Sequence, residues 1–276
     1  MPMSIISNVA SLAAQRRLGQ TSDRLQNSMT RMSTGLRINR AADDTAGLAI
    51  SERLRSQTRS MAQAERNGMD GISMLQVAEG GMNETSGILA RMRELAMQSA
   101  NDTNSASDRA FLADEFGQLV SEIDRIATVT EFNGTKLLQG NSSTLDFQIG
   151  TENTSSDQIS VDLADLSMTG TDLSIDSLTI GSKSDAVAAL QSIDDAIGMV
   201  SEARSVIGSA QNRMQIAVSN LGNMRENLAA ADSRIRDADI AQEASQMTRN
   251  QILMQSGMAI LAQANQQPSM ALSLLG

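Results

Sequence analysis

Apolar residues recur at steps of three and four along most of this chain, which is the spacing of one face of an α-helix. The longest such run extends from Leu190 to Leu228, and its only polar positions are Arg204, Gln211 and Arg225. A single helix over this run would be about 58 Å long at 1.5 Å per residue. A helix of that length is typical of an elongated rod rather than of a compact domain.

Two further helices are predicted before this run. One apolar stripe comprises Ile72, Leu75, Met82, Leu89 and Ala96, and a second comprises Leu112, Phe116, Leu119, Ile123 and Ile126. The turn-rich segment 101 to 108 separates them. Ser184 is predicted to cap the long helix, with Asp185 as an acid in its first turn. We expect the three helices to form one antiparallel bundle.

Between residues 133 and 183, ahead of the long helical run, the periodicity changes from helical to alternating. Leu145, Phe147 and Ile149 alternate with polar residues, as do Ile159, Val161 and Leu163 after a polar loop. This pattern predicts a β-hairpin. The fold class is therefore predicted to be mainly α, an elongated antiparallel helical bundle or coiled coil with a small β-hairpin region at about residues 140 to 183.

Both ends of the chain lack charged side chains, over residues 1 to 15 and 250 to 276. Each end carries an apolar stripe at coiled-coil spacing, Leu18, Leu25, Met29, Met32 and Leu36 in one and Met247, Met254 and Leu261 in the other. The C-terminal stretch is interrupted by glutamines and Pro268, so it does not predict a membrane-spanning helix. We predict instead that the terminal helices pair and self-assemble with other copies of the chain.

Composition disfavours enzymatic chemistry. The chain has no histidine and no cysteine, which excludes Ser-His-Asp and Cys-His nucleophiles, the usual zinc sites and disulfides. A net charge of −10 argues against nucleic-acid binding, because phosphate neutralisation needs excess Lys and Arg. The acid pairs Asp43-Asp44, Asp194-Asp195 and Asp237-Ala238-Asp239 lack the spacing of a calcium loop. No catalytic, cofactor or metal site is predicted.

Four long segments resemble bacterial flagellin. They are STGLRINRAADDTAGLAISERLRSQ (33 to 57), ARMRELAMQSANDTNS (90 to 105), SEIDRIATVTEFNGTKLL (121 to 138) and the C-terminal run from 237 to 276. They occur in the family's order and reach the end of the chain. Many flagellins insert outer domains between the N- and C-terminal halves of the chain, whereas only the hairpin region occupies that place here. The resemblance therefore implies a short, two-domain form that lacks the outer variable domains.

The resemblance implies a secreted structural subunit of the extracellular flagellar filament, which serves motility. The implied domains are a filament core of residues 1 to 40 and 236 to 276, disordered in the monomer, and a helical rod of residues 41 to 235. Export through the flagellar type III apparatus is also implied. The implied partners are other copies of the chain, an export chaperone, and the cap and hook-filament junction proteins, with no membrane insertion.

The resemblance also implies recognition by the host Toll-like receptor 5. In recognised flagellins an Arg and a Leu on one helix and a Glu on the next form the receptor contact. The matching positions here are Arg91, Leu95 and Glu115. The same residues are also compatible with an intersubunit seam for Leu95 and a solvated ion pair for Arg91 and Glu115.

Two other classes of protein remain open at this point. A hook-filament junction protein has similar terminal helices and differs in its low copy number. A secreted coiled-coil effector that disturbs membranes would also have apolar ends, although glutamine-rich ends and negative charge argue against attraction to anionic lipids.

Overall fold

The computed structural model describes residues 8 to 140 and 143 to 273, with side chains up to Gln266. Residues 1 to 7 and 274 to 276 of the predicted filament core, and residues 141 and 142 of the predicted hairpin region, lie outside the described residues. The helices are α1 (Val9–Thr34), α2 (Thr45–Ser99), α3 (Ala106–Val129), α4 (Lys183–Arg236) and α5 (Ile240–Ser273). The strands are β1 (Glu131–Phe132), β2 (Thr135–Lys136), β3 (Thr144–Gln148) and β4 (Gln158–Asp162).

Local sequence fixes where these helices begin and end. Asn8 caps α1 by accepting a hydrogen bond from the Ser11 backbone N–H, and Gly35 ends that helix with a φ of 71°. Ser105 and Asp108 form a reciprocal capping box at the start of α3. Each contact satisfies a backbone group that the helix itself leaves unpaired.

The cap of α4 differs from the sequence prediction. The helix begins at Lys183, and Ser182 Oγ accepts the hydrogen bond from the Asp185 backbone N–H at 3.2 Å. Ser184 therefore lies inside the first turn, and its prediction as the cap is wrong by two residues. Asp185 is an acid of the first turn as predicted.

The described chain divides into two compact units. The terminal unit contains the described residues up to Ser56 and from Asn227 onward, and the central unit contains Gln57–Glu226. The core of the central unit is formed by α2, α3 and α4 together with the hairpin, and its largest fully buried side chains include Phe116, Met82, Leu89 and Ile123. The three predicted helical stripes thus meet in one core.

The predicted hairpin is confirmed. Strands β3 and β4 pair antiparallel with Leu145 opposite Val161 and Phe147 opposite Ile159. Ile159 and Val161 are buried in the central core. The hairpin approaches α2 closely at Gly71, where a Cβ atom would lie 2.7 Å from Phe147 Cδ1. A residue larger than glycine at this position would force the Phe147 ring to shift.

Two features of the central unit were not predicted. Strands β1 and β2 form a short hairpin whose two-residue turn is Asn133-Gly134. Both turn residues have a positive φ, 48° at Asn133 and 80° at Gly134. The segment after β4 has only a short 3₁₀ turn, yet it adds several residues to the core: Leu163, Leu166, Met168, Leu173, Ile175 and Ile180. The overall class is mainly α, as the sequence predicts, and it has two small antiparallel hairpins where one was predicted.

Candidate functional site

An antiparallel pair formed by α1 and α5 dominates the terminal unit. Ser11 Oγ donates to Asn265 Oδ1 at 2.7 Å, and Arg31 Nη1 lies 3.0 Å from Glu243 Oε1. Residue numbers rise along α1 as they fall along α5, so the two helices run in opposite directions. A backbone bridge between Leu36 and Asp237 continues the pairing beyond the end of α1.

The predicted apolar stripes lie mostly along this pair. The half-buried members are Leu18, Leu25, Met32, Leu36, Met247, Met254 and Leu261. Met29 instead points outward and is 48% exposed, while Ser28 is buried beside it. The most buried residues of the pair are polar or small, namely Ser11, Ser28, Glu243, Asn250 and Ala264. The large apolar side chains therefore keep part of their surface in solvent.

Further large apolar residues are exposed on the same two helices. They are Val9, Leu12 and Met29 on α1 and Ile240, Ile252, Leu253, Met258 and Ile260 on α5. A groove of about 340 Å³ runs between the helices, lined by Leu18, Leu253, Gly257 and Ile260 with Arg17 and Arg24 at its side. Large apolar side chains are thus exposed on both helices and around the groove between them.

The predicted receptor residues lie in the central unit on α2 and α3. Arg91 donates from Nε and Nη2 to Glu115 Oε1, at 3.1 Å and 2.9 Å, and from Nη1 to Glu94 Oε2 at 3.0 Å. These hydrogen bonds, with Glu115 first and Glu94 second, raise the pKa of the Arg91 guanidinium. The structure thus joins Arg91 and Glu115 in one exposed cluster across the two helices.

Leu95 lies apart from that exposed cluster. It is 0% exposed and belongs to the central core. The structure therefore places two of the three predicted receptor residues on the surface and the third beneath it. The resemblance supplied these three positions, but it could not show that Leu95 is buried in this chain.

A second cross-helix ion pair was not predicted as a site. Arg93 on α2 donates from Nε to Asp194 Oδ1 on α4 at 2.6 Å and from Nη2 to Asp194 Oδ2 at 3.2 Å. The hydrogen bond from Arg93 lowers the pKa of the Asp194 carboxyl, and the positive charge of the guanidinium adds to this effect. The pair fastens α2 to α4 at the protein surface.

Two of the acid pairs considered as metal ligands cap backbone groups instead. Asp43 Oδ2 accepts hydrogen bonds from the backbone N–H groups of Arg40 and Asn39, which lower the pKa of its carboxyl. Asp239 Oδ1 accepts from Ala241 and Gln242 at the start of α5. Over residues 8 to 140 and 143 to 273, no three His, Cys, Asp or Glu side chains group so as to hold a metal ion.

Within the same described ranges, none of the helices is sufficiently long and apolar to cross a bilayer.

Comparison with known proteins decides the family. The model of the bacterial flagellin N-terminal helical region matches residues 5–143, and that of the C-terminal helical region matches residues 190–275. The chain belongs to the bacterial flagellin family. It is 47% identical to the flagellin of Halalkalibacterium halodurans and 42% identical to that of Bacillus subtilis, in both cases over 99% of this chain and 100% of the relative.

Solved structures agree with this assignment. The crystal structure of Bacillus cereus flagellin has a TM-score of 0.51 and 31% identity, covering 60% of this chain and 94% of that chain. A putative flagellar hook-associated protein from Vibrio parahaemolyticus has a TM-score of 0.59 but only 16% identity, which shows a shared fold alone.

Membership of the flagellin family fixes the broad function. The chain is a structural subunit of the extracellular flagellar filament, which serves motility, and it is not an enzyme. It is a short flagellin without a large variable domain, as the resemblance implies. The family match also sets aside the junction-protein and membrane-effector alternatives.

Proposed function

We propose that this flagellin polymerises by coiled-coil pairing of its terminal helices, which become fully ordered only on joining the filament. The observation that carries this proposal is the exposed apolar surface of α1 and α5. The sequence of α5 has no charged residue after Arg249. Contacts with other copies would bury this surface. Side chains such as Met29, outside the α1–α5 seam, would then contact neighbouring subunits.

The composition of the seam supports ordering on assembly. Fixing one residue costs about 1 to 2 kcal/mol of backbone entropy, and burial returns about 25 cal/mol for each Å² of apolar surface. The pair buries mainly small and polar residues in a single chain, so much of the apolar surface that would offset this cost is still exposed. Neighbouring subunits supply the remaining burial.

The two parts of the chain then divide the work. Residues 1 to 40 and 236 to 276 form the filament core, disordered in the monomer, and residues 41 to 235 form the folded helical part. Contacts between different faces of identical subunits do not close on themselves and produce a helical filament. The subunit is exported by the type III apparatus and meets its export chaperone, the cap and the hook-filament junction proteins along this route.

Negative-stain electron microscopy of the seeded protein tests this proposal. The intact chain is expected to form long filaments, and a truncation lacking residues 237 to 276 is expected to form none. Circular dichroism of both unpolymerised chains provides the control, because the central helices should remain folded in each. Filament formation by the truncation, or a monomeric intact chain under every seeding condition, would contradict the proposal.

We also propose that the cluster around Arg91 is recognised by Toll-like receptor 5. The supporting observation is that Arg91 and Glu115 are exposed together across α2 and α3. Leu95 is buried below them, so its part in recognition is to hold the two helices in place. In the free subunit this cluster is accessible to a receptor.

A receptor reporter assay tests this second proposal. The Arg91→Ala variant is expected to signal at least about tenfold more weakly, the loss expected for a hot-spot residue. Arg125→Ala is the matched control, because Arg125 forms a comparable exposed ion pair with Glu122 on α3. Equal signalling by the two variants would count against recognition through Arg91.

A further inference from the structure

Large and small residues alternate along the facing sides of α1 and α5. On α1 the large members are Leu18, Leu25 and Met32, and the small members are Ala14, Thr21 and Ser28. On α5 the large members are Met247, Met254 and Leu261, and the smaller members are Asn250, Gly257 and Ala264. All of these residues are buried or half-buried, and each set repeats every seven residues.

The register of the pair places large residues opposite small ones. The contacts of Ser11 with Asn265 and of Arg31 with Glu243 bracket the pair. Counting inward from these contacts puts Leu18 opposite Gly257. Their proximity is direct, because a Cβ atom at position 257 would lie 3.1 Å from Leu18 Cδ2 and 3.2 Å from Leu18 Cγ.

A glycine at this position needs a reason. In a helix interior glycine is less favourable than alanine by about 0.5 to 1 kcal/mol. Position 257 lies in the middle of α5, far from both of its ends. The close approach of Leu18 supplies the reason, since even a single added methyl group would crowd it.

We propose that Gly257 is a specificity-determining residue that receives Leu18 and thereby fixes the register of α1 against α5. This inference rests on the proposed polymerisation through the terminal helices. A filament of identical contacts requires the same outer face from every subunit. A subunit paired in another register presents a different face and is excluded from the lattice.

Size complementarity and polar contacts exclude different shifted registers of α1 against α5. A shift by three or four residues places Leu18 opposite Met254 or Leu261, so that large residues collide. A shift by seven keeps the size match but separates Ser11 from Asn265 and Arg31 from Glu243. In one of these shifts Arg24, seven residues before Arg31, would take the place of Arg31 opposite Glu243. The contact between Ser11 and Asn265 is therefore needed to exclude that shift.

Seeded polymerisation of four variants tests the role of Gly257, measured as the sedimentable fraction. Gly257→Leu is expected to form at least about tenfold less polymer than the wild type, because overpacking disrupts a close contact. Leu18→Ala alone is expected to polymerise slightly less well. The double variant L18A/G257L is expected to recover most polymerisation, since the large and small residues have only exchanged helices.

The matched control is L25A/G257L. It has the same composition as L18A/G257L but makes no space opposite position 257. It is expected to remain as defective as Gly257→Leu. The inference is overturned if Gly257→Leu polymerises like the wild type, or if the two double variants polymerise equally. Circular dichroism of each unpolymerised variant checks that the central helices are intact.

A disulfide reporter separates failure of this inference from failure of the proposed function. The chain has no cysteine, so S11C/N265C introduces one pair at a contact that depends on register. Filaments of S11C/N265C that lack the intrachain disulfide would contradict terminal-helix pairing itself. Filaments of S11C/N265C/G257L that form the disulfide as fully as those of S11C/N265C would overturn only the role of Gly257.

Discussion

Arg31 and Glu243 form an ion pair across the seam of α1 and α5, with Arg31 Nη1 3.0 Å from Glu243 Oε1. Glu243 is 6% exposed, and its second carboxylate oxygen has no hydrogen-bond partner within the described part of the chain. A buried carboxylate held by a single guanidinium depends on it, because removing the partner leaves an uncompensated charge. Pairing of α1 with α5 thus depends on one ion pair in a seam whose other facing residues are uncharged.

Arg31→Met is predicted to weaken filament assembly strongly. Arg31 is partly exposed, so breaking this half-buried pair should cost about 1 to 3 kcal/mol, which raises the critical concentration for polymerisation by about one to two orders of magnitude. The double variant R31M/E243M should recover most of this loss, because it leaves no buried charge. Sedimentation across a concentration series measures the effect. Equal critical concentrations for the single and double variants would refute this account.

Two phenylalanines on α3 provide a matched test of the central core. Phe116 is 1% exposed and Phe111 is 71% exposed. Phe116→Ala should reduce the free energy of unfolding by about 3 to 5 kcal/mol, because it leaves a cavity among packed helices. Phe111→Ala should change it by less than about 0.5 kcal/mol. Urea denaturation of the unpolymerised chain, followed by circular dichroism, measures both values.

The ion pair of Arg93 and Asp194 predicts a dependence of stability on pH. The pKa of Asp194 is lowered in the folded chain by its hydrogen bond from Arg93. A lowered pKa means that the carboxylate stabilises the fold above its unfolded pKa near 4, and that this stabilisation is lost as the pH falls through the folded value. The urea midpoint should therefore fall between pH 6 and pH 3.

Removing the guanidinium isolates this contribution. Arg93→Met should have a lower urea midpoint than the wild type at pH 6. Its midpoint should then fall less than that of the wild type between pH 6 and pH 3. Arg213→Met is the control, since Arg213 is exposed and has no ion pair in the described residues. A pH dependence that is the same in all three proteins would show that Asp194 contributes nothing measurable.

Helical periodicity was sufficient to predict most of the fold. The stripe of Leu190 to Leu228 lies within α4, and the alternation at Leu145 and Phe147 predicted β3. These patterns are readable because burial on one face repeats at a fixed spacing. The buried segment after β4 has no such period, since each of its apolar residues reaches the core from an irregular backbone. The Asn133-Gly134 turn did have a local signal, as this dipeptide favours two-residue hairpins.

The candidate site was harder to predict than the fold. The sequence identified both terminal stripes but assigned Met29 to the seam, where the structure buries Ser28 instead. A step of three and a step of four both satisfy a helical stripe, and only the partner helix decides between them. The burial of Leu95 was missed for another reason: a resemblance matches a position and does not show what packs around it.

Two glycines of the central unit are predicted to respond oppositely to alanine substitution. Gly134 has a φ of 80°, a conformation that costs an L-residue about 1 to 2 kcal/mol, so Gly134→Ala should destabilise the chain by about that amount. Gly80 lies exposed inside α2 with no atom within 4 Å of an added Cβ. Gly80→Ala should therefore stabilise the chain by up to about 1 kcal/mol through helix propensity. Urea denaturation of both variants beside the wild type measures these changes, and a shift of the same sign in both would contradict this backbone explanation.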